Sequence, residues 1–189
     1  MIRETIISTR SADGKPHLAP LGATVIEGGY LLQPFRPSRT LENLMATRVA
    51  CINFTDDVRI FSALVSRHKQ LPVPLAKATK IDCQRIAATL AHQELIVDRI
   101  EEDEKRPRFF CKIERSEMHR PFMGLNRAKA AVIEAAVLVS RLSMLPAEKI
   151  DRDMAQLAIV VEKTAGPEEQ EAWSWMVEAV ANHRRAQAS

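Results

Sequence analysis

The first 33 residues contain three short strand-like runs that are separated by tight-turn signals. The runs are Ile2–Arg10, His17–Glu27 and Tyr30–Gln33. Between them stand Asp13–Gly14 and Gly28–Gly29, and pairs of this kind favour the tight turns of β-hairpins. The alternating, β-branched run Ile2–Arg10 and the two turn signals predict three antiparallel strands. The first third of the chain is therefore constrained to a β-meander, which is typical of a barrel or a sandwich.

The second of these strands contains two residues that are unusual inside a β-sheet, Pro20 and Gly22. Proline cannot donate a hydrogen bond to a neighbouring strand, and glycine allows another group to approach the backbone closely. One interpretation is a β-bulge at the corner of a barrel. The other is that residues 19–22 lie along a flat ligand.

A cluster of cationic and hydroxyl side chains follows the third strand. Within five positions it contains Arg36, Ser38, Arg39 and Thr40. Guanidinium groups, hydroxyls and the N–H groups at a helix start are the donors that bind an anionic group such as a phosphate. The sequence therefore offers a candidate phosphate site in this turn. The alternative is a surface loop that ends in an ordinary helix N-cap.

Two helices and a buried strand are predicted after this turn. The spacing of apolar residues predicts a helix over Leu41–Thr47, and Thr40 is placed to cap it by accepting from the N–H of Asn43. The apolar run Val49–Phe54 predicts a buried strand. A second helix is expected over Val58–Ser66, capped by the residues that precede it.

A long antiparallel hairpin is predicted further along the chain. Glu94–Asp103 and Arg106–Met118 both alternate, and the charged residues between them fit a solvated hairpin end. Residues 67–90 are the least readable region: Pro72 and Pro74 make Leu71–Leu75 extended or looped, and Ile81–Leu90 fits either a strand or a helix.

The composition changes after His119, where helical periodicity replaces strand alternation. Helices are predicted over Arg127–Leu145, Ala147–Thr164 and Glu168–Arg185. The fold class is therefore a β-rich α+β protein. We predict a β domain over residues 1–122 and a three-helix domain over residues 123–189.

The sequence lacks the motifs of several common enzyme classes. It has no glycine-rich nucleotide fingerprint, no phosphate-loop motif, no zinc-protease motif and no nucleophile elbow. Its histidines and cysteines show no metal-ligand spacing; they are His17, His68, His92, His119, His183, Cys51, Cys83 and Cys111. We therefore predict no metal site, and a hydrolase has no support.

Charge and hydropathy restrict the partners of the chain. A net charge of +3 is mild and does not predict nucleic-acid binding. No apolar run reaches the length of about 18 residues that a membrane span needs, so no membrane partner is expected. The N-terminus has no signal-peptide pattern, and the three scattered cysteines suit a reducing compartment, so a cytoplasmic protein is expected.

Three stretches of the chain together resemble an uncharacterised family of FMN-binding split-barrel flavoproteins, the domain of unknown function 447. The first combines Glu4–Thr9 with Ala19–Gly22, the second combines Phe35–Thr40 and Asn43–Leu44 with Cys51–Asp57 and Phe61, and the third runs from Gly124 to Leu142. The order and spacing of all three carry the resemblance, which covers most of the chain except residues 67–93.

The resemblance implies a six-stranded split barrel, a helical C-terminal domain, a homodimer, and FMN near the dimer interface. It implies that the FMN phosphate is surrounded by Arg36, Ser38, Arg39, Thr40 and Asn43. It also implies that Pro20, Leu21 and Gly22 run beside the isoalloxazine edge and that Asn53 and Asp56 contact the ring or the ribityl chain. Arg127 would reach the flavin from its own subunit or from the partner subunit.

The leading hypothesis is an FMN-binding oxidoreductase or flavin reductase-like protein whose substrate is unknown. One alternative is a non-catalytic flavin carrier or sensor that uses the same site. Another is a protein-interaction module whose helical domain docks a partner. The last alternative requires an exposed apolar face around Trp173, Trp175 and Met176.

Overall fold

Six antiparallel strands form a closed barrel: β1 (Ile2–Arg10), β2 (Pro16–Ile26), β3 (Gly29–Leu32), β4 (Val49–Phe54), β7 (Ala91–Glu101) and β8 (Arg108–Met118). The computed structural model describes residues 1–67 and 71–188, so His68 lies outside the described residues. Neighbouring strands follow the order β1-β2-β3-β8-β7-β4, and β4 closes the barrel by pairing with β1. Closure gives each strand of the barrel a partner on both sides over at least part of its length.

The barrel core is filled from the strands and from helix α1 (Arg39–Thr47). Ile7, Ile52 and Phe109 are fully buried strand residues of this core. Leu41 and Leu44 project from α1 into the same cluster. Their spacing of three residues places them on one face of the helix, so burial of that face fixes α1 to the barrel.

The least readable region of the sequence contains a two-stranded hairpin, β5 (Leu75–Lys77) and β6 (Gln84–Ile86). Ile81 and Cys83 from this hairpin pack with Cys51 of β4. Strands of three residues are too short to show a period, which explains why the sequence did not predict them.

The second compact unit is helical and comprises residues 56–72 and 123–189. It holds α2 (Val58–Ser66), α3 (Arg127–Val139), α4 (Ala147–Thr164) and α5 (Pro167–Ala188). The boundary expected after residue 122 separates the same elements except for α2, which packs with the helices because Val58 shares a buried cluster with Val132 and Ala172. Residues 1–55 and 73–122 make up the barrel unit.

The buried face of α5 decides against the interaction-module hypothesis in the form predicted above. Met176 is fully buried, Trp175 is buried and Trp173 is half-buried. Trp175 and Met176 belong to the core of the helical unit, together with Ala135 and Ile150. The exposed aromatic face that this hypothesis requires is not present there.

Most predicted elements occur within a few residues of their expected bounds. The largest difference is α3, which ends at Val139 rather than at Leu145. Ser140 ends the helix, its hydroxyl donates to the carbonyl of Val137, and turns follow up to Leu145. No helix within residues 1–67 and 71–188 is both long enough and apolar enough to cross a membrane.

Candidate functional site

The start of α1 is built by Ser38 rather than by Thr40. Ser38 has an extended backbone, and its hydroxyl accepts a hydrogen bond of 3.3 Å from the N–H of Leu41. Thr40 lies inside the helix and is buried, so the predicted Thr40 cap was wrong. The helix therefore begins at Arg39, two residues earlier than expected. Arg39 and Thr40 now carry the first N–H groups, which have no carbonyl partner within a helix.

Arg39 brings a positive charge close to His17 at the start of β2. His17 lies opposite Thr9 of β1, and the hydroxyl of Thr9 accepts a hydrogen bond of 2.9 Å from the side-chain amide of Asn43 on α1. Burial lowers the pKa of His17, and the charge of Arg39 lowers it further. Among the residues that the structure describes, Arg39 makes no ion pair and its side chain is exposed. An anion here would meet an uncompensated cation beside a helix start.

Arg36 is held in different surroundings from Arg39. Its guanidinium pairs with Glu102 at 3.1 Å, and its backbone N–H donates to the carbonyl of Lys105 at 2.8 Å. The side chain lines an open cavity of about 470 Å³ together with Glu102, Asp103 and Glu104. A phosphate would have to compete with these carboxylates for Arg36, so the two arginines of the turn are not equivalent.

The turn before α1 is fastened to the tip of the β7–β8 hairpin. Arg106 donates to the carbonyl of Gln33 at 2.9 and 3.2 Å, and its guanidinium lies 4.4 Å from the ring centre of Phe35. Cation–π contacts of this kind add to the hydrogen bonds. The start of α1 is thus supported from a strand pair distant in sequence.

The candidate residues Pro20, Leu21 and Gly22 lie on a part of β2 that pairs on one side only. Residues 16–24 of β2 pair with β1 in an unbroken register, so the predicted bulge is absent from this pairing. In the described strand pairings, β3 joins β2 only at residues 24–26. The other edge of residues 16–23 is therefore open, which accommodates proline and leaves backbone groups for a ligand.

Gly22 lies close to its neighbour in β1. A Cβ atom built on Gly22 would lie 2.9 Å from Cγ2 of Ile2, closer than such carbons normally approach. The carbonyl of Leu21 accepts a hydrogen bond of 2.8 Å from the hydroxyl of Thr5. The close approach at Gly22 is thus made by a side chain of the barrel itself.

Asn53 is a fully buried residue whose amide joins three strands. Its nitrogen donates to the carbonyl of Ile6 at 2.9 Å and to the hydroxyl of Ser8 at 3.1 Å. Its oxygen accepts from the N–H of Ile86 at 2.7 Å. Because both ends of the amide are engaged, Asn53 holds β1 and β6 to β4. A direct ligand contact by Asn53 stays a prediction, and it would require one of these bonds to be given up.

Asp56 and Arg127 belong to the helical unit. A carboxylate oxygen of Asp56 lies 2.9 Å from Nζ of Lys129 on α3. Arg127 is the first residue of α3, as predicted, and Asn126 caps the helix by accepting from the N–H groups of Ala128 and Lys129. The predicted cofactor roles of Asp56 and Arg127 stay predictions.

Some of the predicted phosphate-site residues therefore lie together in the structure, and one further residue joins them. Ser38, Arg39 and Thr40 form the start of α1, and Asn43 connects that helix to β1. His17 was missed. A hairpin centred on Asp13–Gly14 pairs Thr9 with His17, so strict hairpin register was the signal that could have found it. Within residues 1–67 and 71–188 no group of three or more metal-binding side chains is present.

Comparison with models of known protein families identifies the family of this chain. The model for the N-terminal domain of the proteins of unknown function DUF447 matches residues 3–120, and a second DUF447 model matches residues 126–178. The chain belongs to the DUF447 family. No curated protein matches the sequence.

Solved structures share the fold. The FMN-bound DUF447 protein MM1853 from Methanosarcina mazei is 19% identical, with a TM-score of 0.81 and 94% of each chain covered. A 2-nitrobenzoate 2-nitroreductase from Pseudomonas fluorescens is 17% identical, with a TM-score of 0.52 over 61% of this chain and 64% of that one. A putative flavin reductase from Haemophilus somnus 129PT is 15% identical, with a TM-score of 0.51 over 61% of this chain and 79% of that one. At these sequence identities, the structural similarity shows only that this chain shares its fold with these proteins.

Proposed function

We propose that this DUF447 protein binds FMN and places the FMN phosphate at the start of α1. The observation that carries the proposal is Arg39, an exposed cation without an ion pair in the described chain, beside the first N–H groups of a helix and close to His17. The FMN-bound relative MM1853, which shares the family and the fold over 94% of both chains, supports the same cofactor.

The donors at this site match a phosphate in charge and in type. Arg39 would provide a charge-assisted hydrogen bond, and the first N–H groups of α1 would provide two more donors. A bound phosphate would also offset the charge that lowers the pKa of His17. Arg36 contributes less because Glu102 already pairs with it.

The open edge of β2 is the part of the barrel that we assign to the flavin ring. Backbone N–H and C=O groups of residues 19–22 would hydrogen-bond to the polar rim of the ring and orient it. When bound, FMN supplies reversible hydride and electron transfer. The role of these residues is to hold the ring in one orientation and to influence its potential through contacts with its nitrogen and oxygen atoms.

We infer that the activity is that of an FMN-dependent oxidoreductase resembling flavin reductases. The nitroreductase and flavin reductase structures that share the fold support this class. The discriminating assay is reduction of protein-bound FMN by a reduced nicotinamide under anaerobic conditions. Turnover supports the oxidoreductase, whereas bound FMN that stays oxidised supports the carrier or sensor.

We also propose that the protein is a homodimer with FMN near its interface. The support is a run of exposed large apolar residues: Met118 is 79% exposed, Phe122 58%, Met123 86% and Leu125 97%. Exposed large apolar residues that lie close together in the sequence are candidates for an interaction site. We assign a second copy of the chain to it.

The phosphate assignment is tested by comparing Arg39→Ala with the matched control Arg36→Ala. Loss of one charge-assisted hydrogen bond costs about 1.5–3 kcal/mol, so Arg39→Ala is expected to weaken FMN binding at least about tenfold. Arg36→Ala removes an exposed ion pair with Glu102 and is expected to change binding by less than about threefold. Fluorescence titration with FMN measures both. Equal losses, or no loss at Arg39, would contradict the assignment.

A further inference from the structure

Three titratable side chains of the barrel unit are joined in a row, and one of them, His92, lies opposite Asn53 in the pairing of β4 with β7. Nε2 of His92 lies 3.3 Å from Oε1 of Glu94, and Nδ1 of His92 lies 2.9 Å from Nε2 of His119. The side chains of His92 and Glu94 are fully buried, whereas His119 is half-buried at the end of β8. The row thus leads from the interior to the surface.

Glu94 anchors the loop between β5 and β6. Its carboxylate accepts hydrogen bonds from the backbone N–H groups of Thr79 at 2.8 Å, Lys80 at 2.6 Å and Ile81 at 3.1 Å. Burial would raise the pKa of Glu94, but these bonds and the bond from His92 lower it overall. Glu94 is therefore a carboxylate at neutral pH.

The charge on Glu94 determines which nitrogen of His92 carries the proton that faces it. A carboxylate can only accept, so Nε2 of His92 carries a proton and donates to it. When Nδ1 of His92 accepts, Nε2 of His119 carries the proton between the two rings. Every hydrogen bond of the row then points toward Glu94, and His119 has only Nδ1 left to take up a proton.

A second set of contacts holds the end of β8 next to His119. The backbone N–H groups of His119 and Arg120 both donate to the carbonyl of Leu90, at 2.8 and 3.1 Å. The guanidinium of Arg120 donates to the carbonyl of Ala88. The histidine pair and these backbone bonds therefore close the same end of the barrel unit.

The surrounding charges disfavour a cation at His119. Burial is the largest effect that lowers the pKa of His119, followed by the charge of Arg85 on β6 and then His92, while Glu117 on β8 opposes them. Arg115 of β8 pairs with Glu117 at 2.8 Å and approaches Oε1 of Glu94 at 4.0 Å.

Two other groups complete the surroundings of Glu94. The Lys80 backbone faces its carboxylate from the loop, and the Cys51 thiol lies on β4 in register with Glu94. Because burial and the surrounding charges disfavour a cation here, a charged His119 is more stable in solvent than in its closed position.

We propose that the His92–His119 pair is an acid-sensitive latch, which keeps the end of β8 closed while His119 is neutral and opens when His119 takes up a proton and turns into solvent. Opening relieves the repulsion from Arg85 and gives the imidazolium its hydration. It also leaves Nδ1 of the buried His92 without its donor. The closed and open states therefore differ by this hydrogen bond.

The direction of the pH effect follows from the shift at His119. A histidine whose pKa is lower in the closed state stabilises that state fully above the unperturbed value of about 6.5. This stabilisation is lost as the pH falls from about 6.5 toward the lowered pKa. At pH 5.5 the open population can rise by up to about tenfold, because one proton per opening changes the equilibrium tenfold per pH unit.

Amide hydrogen exchange of the full chain between pH 7.5 and 5.5 tests the latch. After correction for intrinsic exchange, protection at the amides of His119 and Arg120 is expected to fall by up to about tenfold in the wild type. His119→Gln keeps an N–H donor toward His92 but cannot take up a proton in this range, so its protection should stay constant. His183→Gln, on α5, is the matched control and should behave like the wild type.

The tautomers give a second, independent measurement. Nitrogen-15 spectra at pH 7.5 are expected to show the Nε2–H form for both His92 and His119. Constant protection in the wild type, an equal fall in His119→Gln, or a His92 protonated on Nδ1 at pH 7.5 would overturn the proposal. Loss of FMN binding alone would not overturn it, because His92, Glu94 and His119 are not among the residues proposed to bind FMN.

Discussion

Replacing Asn53 by alanine separates a structural role from a cofactor role at a residue that sequence resemblance assigns to the flavin. The side chain is fully buried and joins β1, β4 and β6 through its amide. Alanine removes the bonds to the Ile6 carbonyl and the Ser8 hydroxyl and leaves the N–H of Ile86 without its partner. The structure therefore predicts a loss of stability that does not depend on any ligand.

The size of the effect follows from the number of hydrogen bonds. A buried hydrogen bond contributes about 1 kcal/mol net, and a buried donor that loses its partner costs about 1–3 kcal/mol. Two lost donor bonds and one orphaned N–H give about 3–5 kcal/mol for Asn53→Ala. The matched control Asn43→Ala loses one buried bond, to Thr9, and should cost about 1 kcal/mol.

Urea unfolding in the absence of FMN, followed by circular dichroism, measures both variants. At an unchanged dependence on denaturant, the shift of the midpoint gives the change in the free energy of unfolding. Omitting FMN ensures that loss of the cofactor cannot produce the effect. If Asn53→Ala were no less stable than Asn43→Ala, the structural role of the Asn53 amide would be refuted.

Two further predictions concern the start of α1 and the exposed apolar run. Ser38→Ala should cost about 1 kcal/mol of stability in urea unfolding because Ser38 caps α1, and an equal cap effect at Thr40 would contradict the assignment. Leu125→Asp should reduce the mass of the particle in sedimentation equilibrium to that of a monomer, whereas Met144→Asp, at another exposed apolar residue, should not. A monomeric wild type would contradict the proposed dimer.

Local pattern was sufficient for the barrel strands because each stands in an apolar or alternating run. β1, β4 and α2 occur with the bounds that the sequence predicted. Turn chemistry added the meander, since Gly14 and Gly28 both adopt the positive φ that such turns require.

What the sequence did not predict depends on contacts between distant residues. The β5–β6 hairpin is held by Glu94 and by Arg10, which pairs with Asp82 at 2.8 Å, and neither contact has a local signal. The different surroundings of Arg36 and Arg39 likewise depend on Glu102, which lies 66 residues from Arg36. Finding the cap of α1 at Ser38 rather than at Thr40 also required the backbone geometry of Ser38.

The measurement that tests the central proposal most directly compares the affinities of the protein for FMN and for riboflavin. Quenching of flavin fluorescence reports the binding of each. The two flavins share the ring and the ribityl chain, so the difference in their affinity reports the phosphate alone. If the phosphate lies at the start of α1 beside Arg39, FMN should bind about tenfold to hundredfold more tightly, as expected for a charge-assisted contact. Equal affinities for the two flavins, or no binding of FMN, would contradict the account.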